Sequence, residues 1–167
     1  AFVPAHLEDP TQIVLRSLMQ RPVGGSDCPG YIYALELDAC TRPDLIRIKV
    51  GRSNNVMLRL SQHRRRCPSL KHSLLGSFPS GPPSLCAVAV PYCDRLERLV
   101  HIELADLSAK SHPAGRTAPR TRCPDCRASH TEIFTFTRLQ GKDYGREWSL
   151  IIRPVVERWA QFITYLV

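Results

Sequence analysis

The stretch RIKVGRSNNVMLRLSQHRRR, residues 47 to 66, constrains the chain more than any other. IRIKV alternates as a strand does, Gly51 follows it, and Ser53, Asn54 and Asn55 then offer the polar side chains that open a helix. Helical spacing places Val56 and Leu60 inward, with Arg59 and His63 four apart on another face. Upstream, GYIYALELD also alternates weakly, so the two runs read as an antiparallel strand pair joined by a loop containing Pro43. Strand, glycine turn and helix is the expected order.

The charge of the chain is concentrated in this region. Between Arg42 and Lys71 stand nine Lys or Arg and one acid, Asp44, a balance equal to the +8 of the whole molecule. A local basic surface of this kind answers a polyanion, because neutralised phosphates release their counterions. A merely solvated basic helix is the plainer alternative. Arg52, Arg64, Arg65, Arg66 and Lys71 are the candidate phosphate contacts.

Seven cysteines, an odd number and scattered, argue against a fully paired secreted scaffold and for a reducing compartment, nucleus or cytoplasm. CPDC at Cys123 to Cys126 followed by His130 gives a C-x2-C-x3-H spacing that places two thiolates and an imidazole around one zinc ion. His101, in LERLVHIELADL, is the candidate fourth ligand and Cys93 the reserve. A chance turn or a redox pair is the alternative for CxxC, and a satisfied core histidine the alternative for His101.

At 167 residues and 43% hydrophobic content, the chain is sized for one domain with a real core. The expectation is an α/β (α+β) domain over residues 28 to 167, with a small, mostly antiparallel sheet flanked by helices, preceded by a packing arm over residues 1 to 27. That arm carries a helix around Asp9 to Met19. Leu74 to Phe78 and Cys86 to Val90 read as short strands around a PSGPPS loop, and Asp94 with Glu97 resembles a helix start before the apolar stripe Leu96, Leu99, Val100, Leu104 and Leu107. SAKSHPAGRTAPRTR reads as a mobile basic loop, HTEIFTFTR as a strand, and the apolar C-terminal segment as a helix that Pro154 kinks or restarts. No apolar run reaches 18 residues, so the chain reads as soluble, and its first residue, Ala1, with no apolar leader reads as a processed or excised piece.

GYIY, KVGRS, Arg59, LERLVHIEL and HTEIF, in that order over about residues 28 to 160, together resemble the GIY-YIG nuclease superfamily, in particular its T5orf172 and fungal DUF1766-type branch. The resemblance implies a GIY-YIG-like fold and Mg²⁺- or Mn²⁺-dependent cleavage of double-stranded DNA. It implies catalytic roles for Tyr33, Arg59 and His63 and a magnesium-holding role for Glu132, where Ile133 replaces the tryptophan of the E-W-F motif. Lys49 stands where the nuclease members have a tyrosine. Such residue types suit the reaction, since phosphodiester hydrolysis needs a proton acceptor, a cation over the developing charge and a hard oxygen ligand for a metal. An inactive nucleic-acid-binding domain and a zinc-stabilised protein-interaction module are the rival expectations.

Overall fold

The computed structural model describes residues 2–38, 42–80, 88–112, 122–130 and 132–166. Four strands, β1 (Tyr31–Asp38), β2 (Leu45–Ser53), β3 (Lys71–Phe78) and β4 (Ile133–Thr137), form one sheet in the order β3-β1-β2-β4. Every pairing in it is antiparallel. Four helices accompany it, α1 (Asp9–Gln20), α2 (Val56–Arg66), α3 (Cys93–Ser111) and α4 (Arg153–Thr164). The α+β architecture and the small antiparallel sheet agree with the sequence reading. Of the Cys86 to Val90 strand, residues 86 and 87 lie outside the described residues, and within 88–90 only Val90 pairs, in an isolated bridge to Gly30. Most of the basic SAKSHPAGRTAPRTR loop lies outside them as well.

Strand alternation gives the sheet two unequal faces. Ile32, Ala34, Ile46, Ile48, Val50, Phe134 and Phe136 point into the main core, where α1, α3 and α4 supply Leu15, Leu18, Leu99, Val100, Leu104 and Trp159. The opposite face carries only a small cluster, Tyr33, Leu35 and Leu60 with Val56 against it, so α2 covers it almost alone. Leu60 is the one residue of α2 that is fully buried. That thinly packed face is where the candidate site lies.

Polar ties fix the helices. Asp27 caps α3 from a distance, its carboxylate accepting from the backbone N–H of Asp94 at 2.8 Å and of Arg95 at 2.9 Å. Asp94 therefore sits in the first turn and is not the cap. Glu103, 1% exposed, joins α3 to α4 by accepting from Arg158 and, at 2.8 Å, from the Trp159 indole. Pro154 marks a restart: a π-helical turn over Trp148–Ile152 leads into α4, whose first turn tolerates the missing N–H. Among the described residues, no helix is long and apolar enough to cross a membrane.

Arg95 closes the C-terminal end of α1, donating to the carbonyls of Leu18 (2.9 Å), Arg21 (3.0 Å) and Pro22 (2.7 Å) from a buried position. Arg95→Met is expected to lower unfolding free energy by about 2–3 kcal/mol, because one buried and two part-buried carbonyls lose a charged donor. Urea denaturation checks this, and an unchanged midpoint would contradict it.

Candidate active site and metal centre

Tyr33 on β1 and Gly51 on β2 are directly opposed in the ladder. A Cβ at residue 51 would meet the Tyr33 hydroxyl at 2.7 Å and Cζ at 2.9 Å, closer than packed atoms approach. Gly51 is thus a strand residue that makes room for the tyrosine ring, and the turn into α2 falls later, at Asn54 and Asn55. The Asn55 side chain accepts from the Leu58 N–H at 3.0 Å and caps the helix. This cap starts α2 so that Arg59 and His63 both reach the Tyr33 side of the sheet.

The Tyr33 hydroxyl lies 2.9 Å from His63 Nε2. Burial raises the Tyr33 pKa, which the adjacent Arg59 guanidinium only partly offsets, so the side chain is a neutral phenol. The His63 ring stacks on buried His72, centroids 5.7 Å apart and 17° between planes. Burial, then the charges of Lys49 and Arg59, push the His63 pKa down to about 4, so its imidazole is neutral at neutral pH and can accept a hydrogen bond at Nε2.

A cleft of about 550 Å³ opens beside this pair, lined by Tyr33, Gly51, Arg52, Arg59, Glu97 and Glu132 among others. The structure thereby brings Tyr33, Arg59, His63 and Glu132 into one place. Lys49, 5% exposed, projects onto the same face and donates to Glu132 Oε2 at 2.6 Å. Glu132 therefore already holds a cation of the protein's own, which corrects the expectation that it is a free magnesium ligand. The Lys49 hydrogen bond and charge outweigh burial and lower the Glu132 pKa.

Glu97 on α3 is the cleft residue that sequence reasoning passed over. Burial, then the nearby Glu132 charge, pushes its pKa up to about 7 despite Arg52 3.5 Å away. In the sequence it was read only as part of the helix-start signal with Asp94, without a place in the site. Arg52 is spoken for as well: Nε pairs with Asp94 at 2.6 Å, so it is a structural partner within the cleft and not a waiting phosphate contact. Arg64 is likewise corrected, since its guanidinium donates to the His72 carbonyl at 3.1 and 2.9 Å and staples α2 to β3. Arg65, Arg66 and Lys71 are exposed.

The metal ligands differ from expectation in one member. Cys123, Cys126 and His130 converge, and the fourth residue is Cys67, directly after α2, with all four ligand atoms within 4.8 Å of one another. His130 Nε2 lies 3.4 Å from Cys126 Sγ and 3.8 Å from Cys67 Sγ. A tetrahedral zinc site with Zn–S of ~2.3 Å and Zn–N of ~2.0–2.1 Å requires S···N edges of ~3.5 Å, so the cluster fits. His101 is not part of it: its Nε2 donates to the Val50 carbonyl at 2.9 Å and its ring packs on Phe134, a satisfied core histidine. The reserve candidate Cys93 is also excluded, buried in the main core against Gly30.

The knuckle is built for thiolates. The Cys123 N–H donates to the Ala128 carbonyl and the Arg127 N–H to the Cys123 carbonyl, both at 2.9 Å, with Arg127 in the left-handed region at φ 57°. Burial acts to raise Cys123, but the N–H of Cys126, His130 and the N–H of Asp125 outweigh it and lower its pKa. The Ala128 N–H does the same for Cys126. Cys67 moves the other way, pushed up to about 12 by burial and by its two thiol neighbours. Three adjacent thiolates need a cation among them, and the Cys₃His cluster can hold a metal ion such as zinc.

A family model described as Meiotically up-regulated gene 113 matches residues 45–162, and the chain belongs to that family. No curated protein and no solved structure matches it. The match overturns the resemblance to the GIY-YIG superfamily and its T5orf172 branch. GYIY and KVGRS are short motifs, and local packing accounts for them: Gly51 is the space that Tyr33 fills, and Lys49 is the partner of Glu132.

Two outcomes are expected. Protein purified without added metal should contain about one zinc per chain by elemental analysis, Cys67→Ser should lose it, and His101→Ala should keep it. Zinc retained by Cys67→Ser, or lost by His101→Ala in a folded protein, would contradict the ligand assignment. His63 has a folded pKa of about 4 against an ordinary 6.5, so between these values the unfolded chain binds more protons and stability falls as pH drops through the window. Denaturation of wild type and His63→Gln from pH 4 to 7 should show part of that loss removed in the variant; parallel curves would contradict it.

Proposed function

We propose that the cleft hydrolyses phosphodiester bonds, most readily those of double-stranded DNA, with the help of a divalent cation. The observation that carries this reading is the convergence of a guanidinium, a neutral Tyr–His pair and two carboxylates on one cleft beside an exposed basic helix end. Arg59, exposed at the cleft and hydrogen-bonded to Gln62 at 3.3 Å, can offer its planar fork to the non-bridging phosphate oxygens. Tyr33 Oη, its own proton donated to the neutral His63 Nε2, can accept a hydrogen bond from the attacking water and orient it, and the water's proton passes to solvent. The water oxygen forms the new bond to phosphorus, the bond to the leaving oxygen breaks, and that oxygen is protonated from solvent.

Glu97 and Glu132 face the same cleft and repel each other, an arrangement that a divalent cation relieves. Bound there with the substrate phosphate, Mg²⁺ or Mn²⁺ would polarise the scissile group. Glu97 is the better holder, because Lys49 occupies Glu132. The reading places the protein in a reducing compartment, nucleus or cytoplasm, where the cluster thiols stay free for metal. One observation favours a second reading, an inactive nucleic-acid-binding domain: the Lys49 ammonium on Glu132 is a built-in cation at the place where a catalytic one would sit.

Single-turnover cleavage of a DNA duplex in Mg²⁺ and in Mn²⁺ tests the proposal. Arg59→Ala and Glu97→Gln are each expected to lose on the order of 10²-fold or more in rate while keeping zinc and most affinity, because their charge acts mainly in the transition state. Parental rates in both zinc-loaded variants would show that the cleft is not the active site. A parent that binds and never cleaves would select the inactive binder.

A further inference from the structure

Each of the three ligand cysteines has an arginine beside it in the chain: Arg66 precedes Cys67, Arg122 precedes Cys123 and Arg127 follows Cys126. All three arginines are exposed, as is Arg65. Since the ligand atoms lie within 4.8 Å of one another, the cluster brings together the chain segments that carry these arginines, which are more than fifty positions apart in sequence. We infer that this metal knuckle is a phosphate-binding surface for duplex DNA, formed jointly by Arg65 and Arg66 at the end of α2 and by Arg122 and Arg127 flanking the CPDC turn.

The charge balance supports that occupant. Among the described residues, none of the four arginines makes an ion pair. The acid within the knuckle, Asp125, is turned away into hydrogen bonds from the Ser69 N–H (2.9 Å) and hydroxyl (2.6 Å). Three thiolates around one divalent ion carry a single net negative charge. Four guanidinium groups therefore exceed the local acids by two charges, and the surface stays basic with metal bound. Residues 122–130, RCPDCRASH, contain no Phe, Tyr or Trp on which an unpaired base could stack, which favours backbone contact with a duplex over single-strand binding.

Position gives the surface a use. Arg59 precedes Cys67 by eight residues, so at ~1.5 Å per residue α2 sets the knuckle about 12 Å along the helix from that cleft arginine. At ~3.4 Å between successive phosphate levels, that is about three to four base pairs. A duplex with one phosphate in the cleft thus has others opposite the knuckle, so the surface fixes where the duplex lies relative to Arg59. The inference rests on the nucleic-acid reading of the cleft, and binding and cleavage separate the two.

The test is fluorescence anisotropy of a labelled 20-base-pair DNA duplex across a NaCl series, without Mg²⁺, on zinc-loaded protein. The double variant Arg122→Gln/Arg127→Asn, with Asn chosen because it tolerates positive φ, should keep its zinc. It should bind on the order of tenfold more weakly and show a salt slope smaller by about two, since each neutralised phosphate contributes ~0.9 to the slope. Lys142→Gln, in the exposed turn after β4, should keep the parental slope. A zinc-loaded double variant with parental affinity and slope overturns the inference, as does a parent that does not bind the duplex at all. If the arginines govern binding and no cleavage is ever seen, the knuckle surface stands and the catalytic reading falls. Cleavage with binding indifferent to these arginines gives the reverse.

Discussion

The convergence of Cys67 with Cys123, Cys126 and His130 is the constraint on which the candidate site depends. The helix α2 carries Arg59 and His63, yet it is anchored to its face of the sheet by one fully buried side chain, Leu60, with Val56 beside it and Tyr33 and Leu35 beneath. Burial of that size contributes about 2–4 kcal/mol before the entropy of ordering the helix is counted. A structural zinc site contributes on the order of 10 kcal/mol. With a metal such as zinc bound, the cluster at one end would therefore join the Arg64 staple to the His72 carbonyl in setting where α2 lies. The same cluster fixes the segment leading to Glu132, two residues beyond His130.

Within that frame, the absence of a side chain at residue 51 sets the chemistry. Because nothing projects from Gly51, the Tyr33 ring lies across β2 and its hydroxyl reaches His63. Lys49, two residues earlier on the same face, depresses the pKa of His63 and draws Glu132 to itself. Glu97 enters from α3 and remains half-protonated near neutral pH, largely because it is buried beside Glu132. The cleft thus combines groups whose protonation is set by one another, with Arg52 and Asp94 forming its ionic rim.

Much of this was legible in the sequence, for physical reasons that differ by residue. Alternation in GYIYALELD and IRIKV, and the polar residues before Val56, encode local structure directly, so the strand pair and α2 were readable, whereas Tyr33, Arg59 and His63 were singled out through the resemblance. The CPDC turn was readable because two ligands of a knuckle are close in sequence. Cys67 was not, since it lies fifty-six positions before Cys123 and meets it only through the fold. His101 drew attention as a histidine on an apolar helix, but the deciding fact, the Val50 carbonyl within reach, belongs to tertiary packing. Glu97 and the pairing of Arg52 with Asp94 were hidden for the same reason. The order of short motifs suggested a family that the match over residues 45–162 does not bear out, because glycine, tyrosine and arginine at such spacings satisfy ordinary strand and helix packing.

X-ray absorption at the zinc K-edge, on protein purified without added metal, tests the ligand set directly. The expected inner shell is three sulfurs at about 2.3 Å and one imidazole nitrogen at about 2.0–2.1 Å, since Cys67 must join Cys123, Cys126 and His130. A shell of two sulfurs and two light atoms would remove Cys67, and with it the tie that positions α2, and would contradict the central role given to the metal cluster.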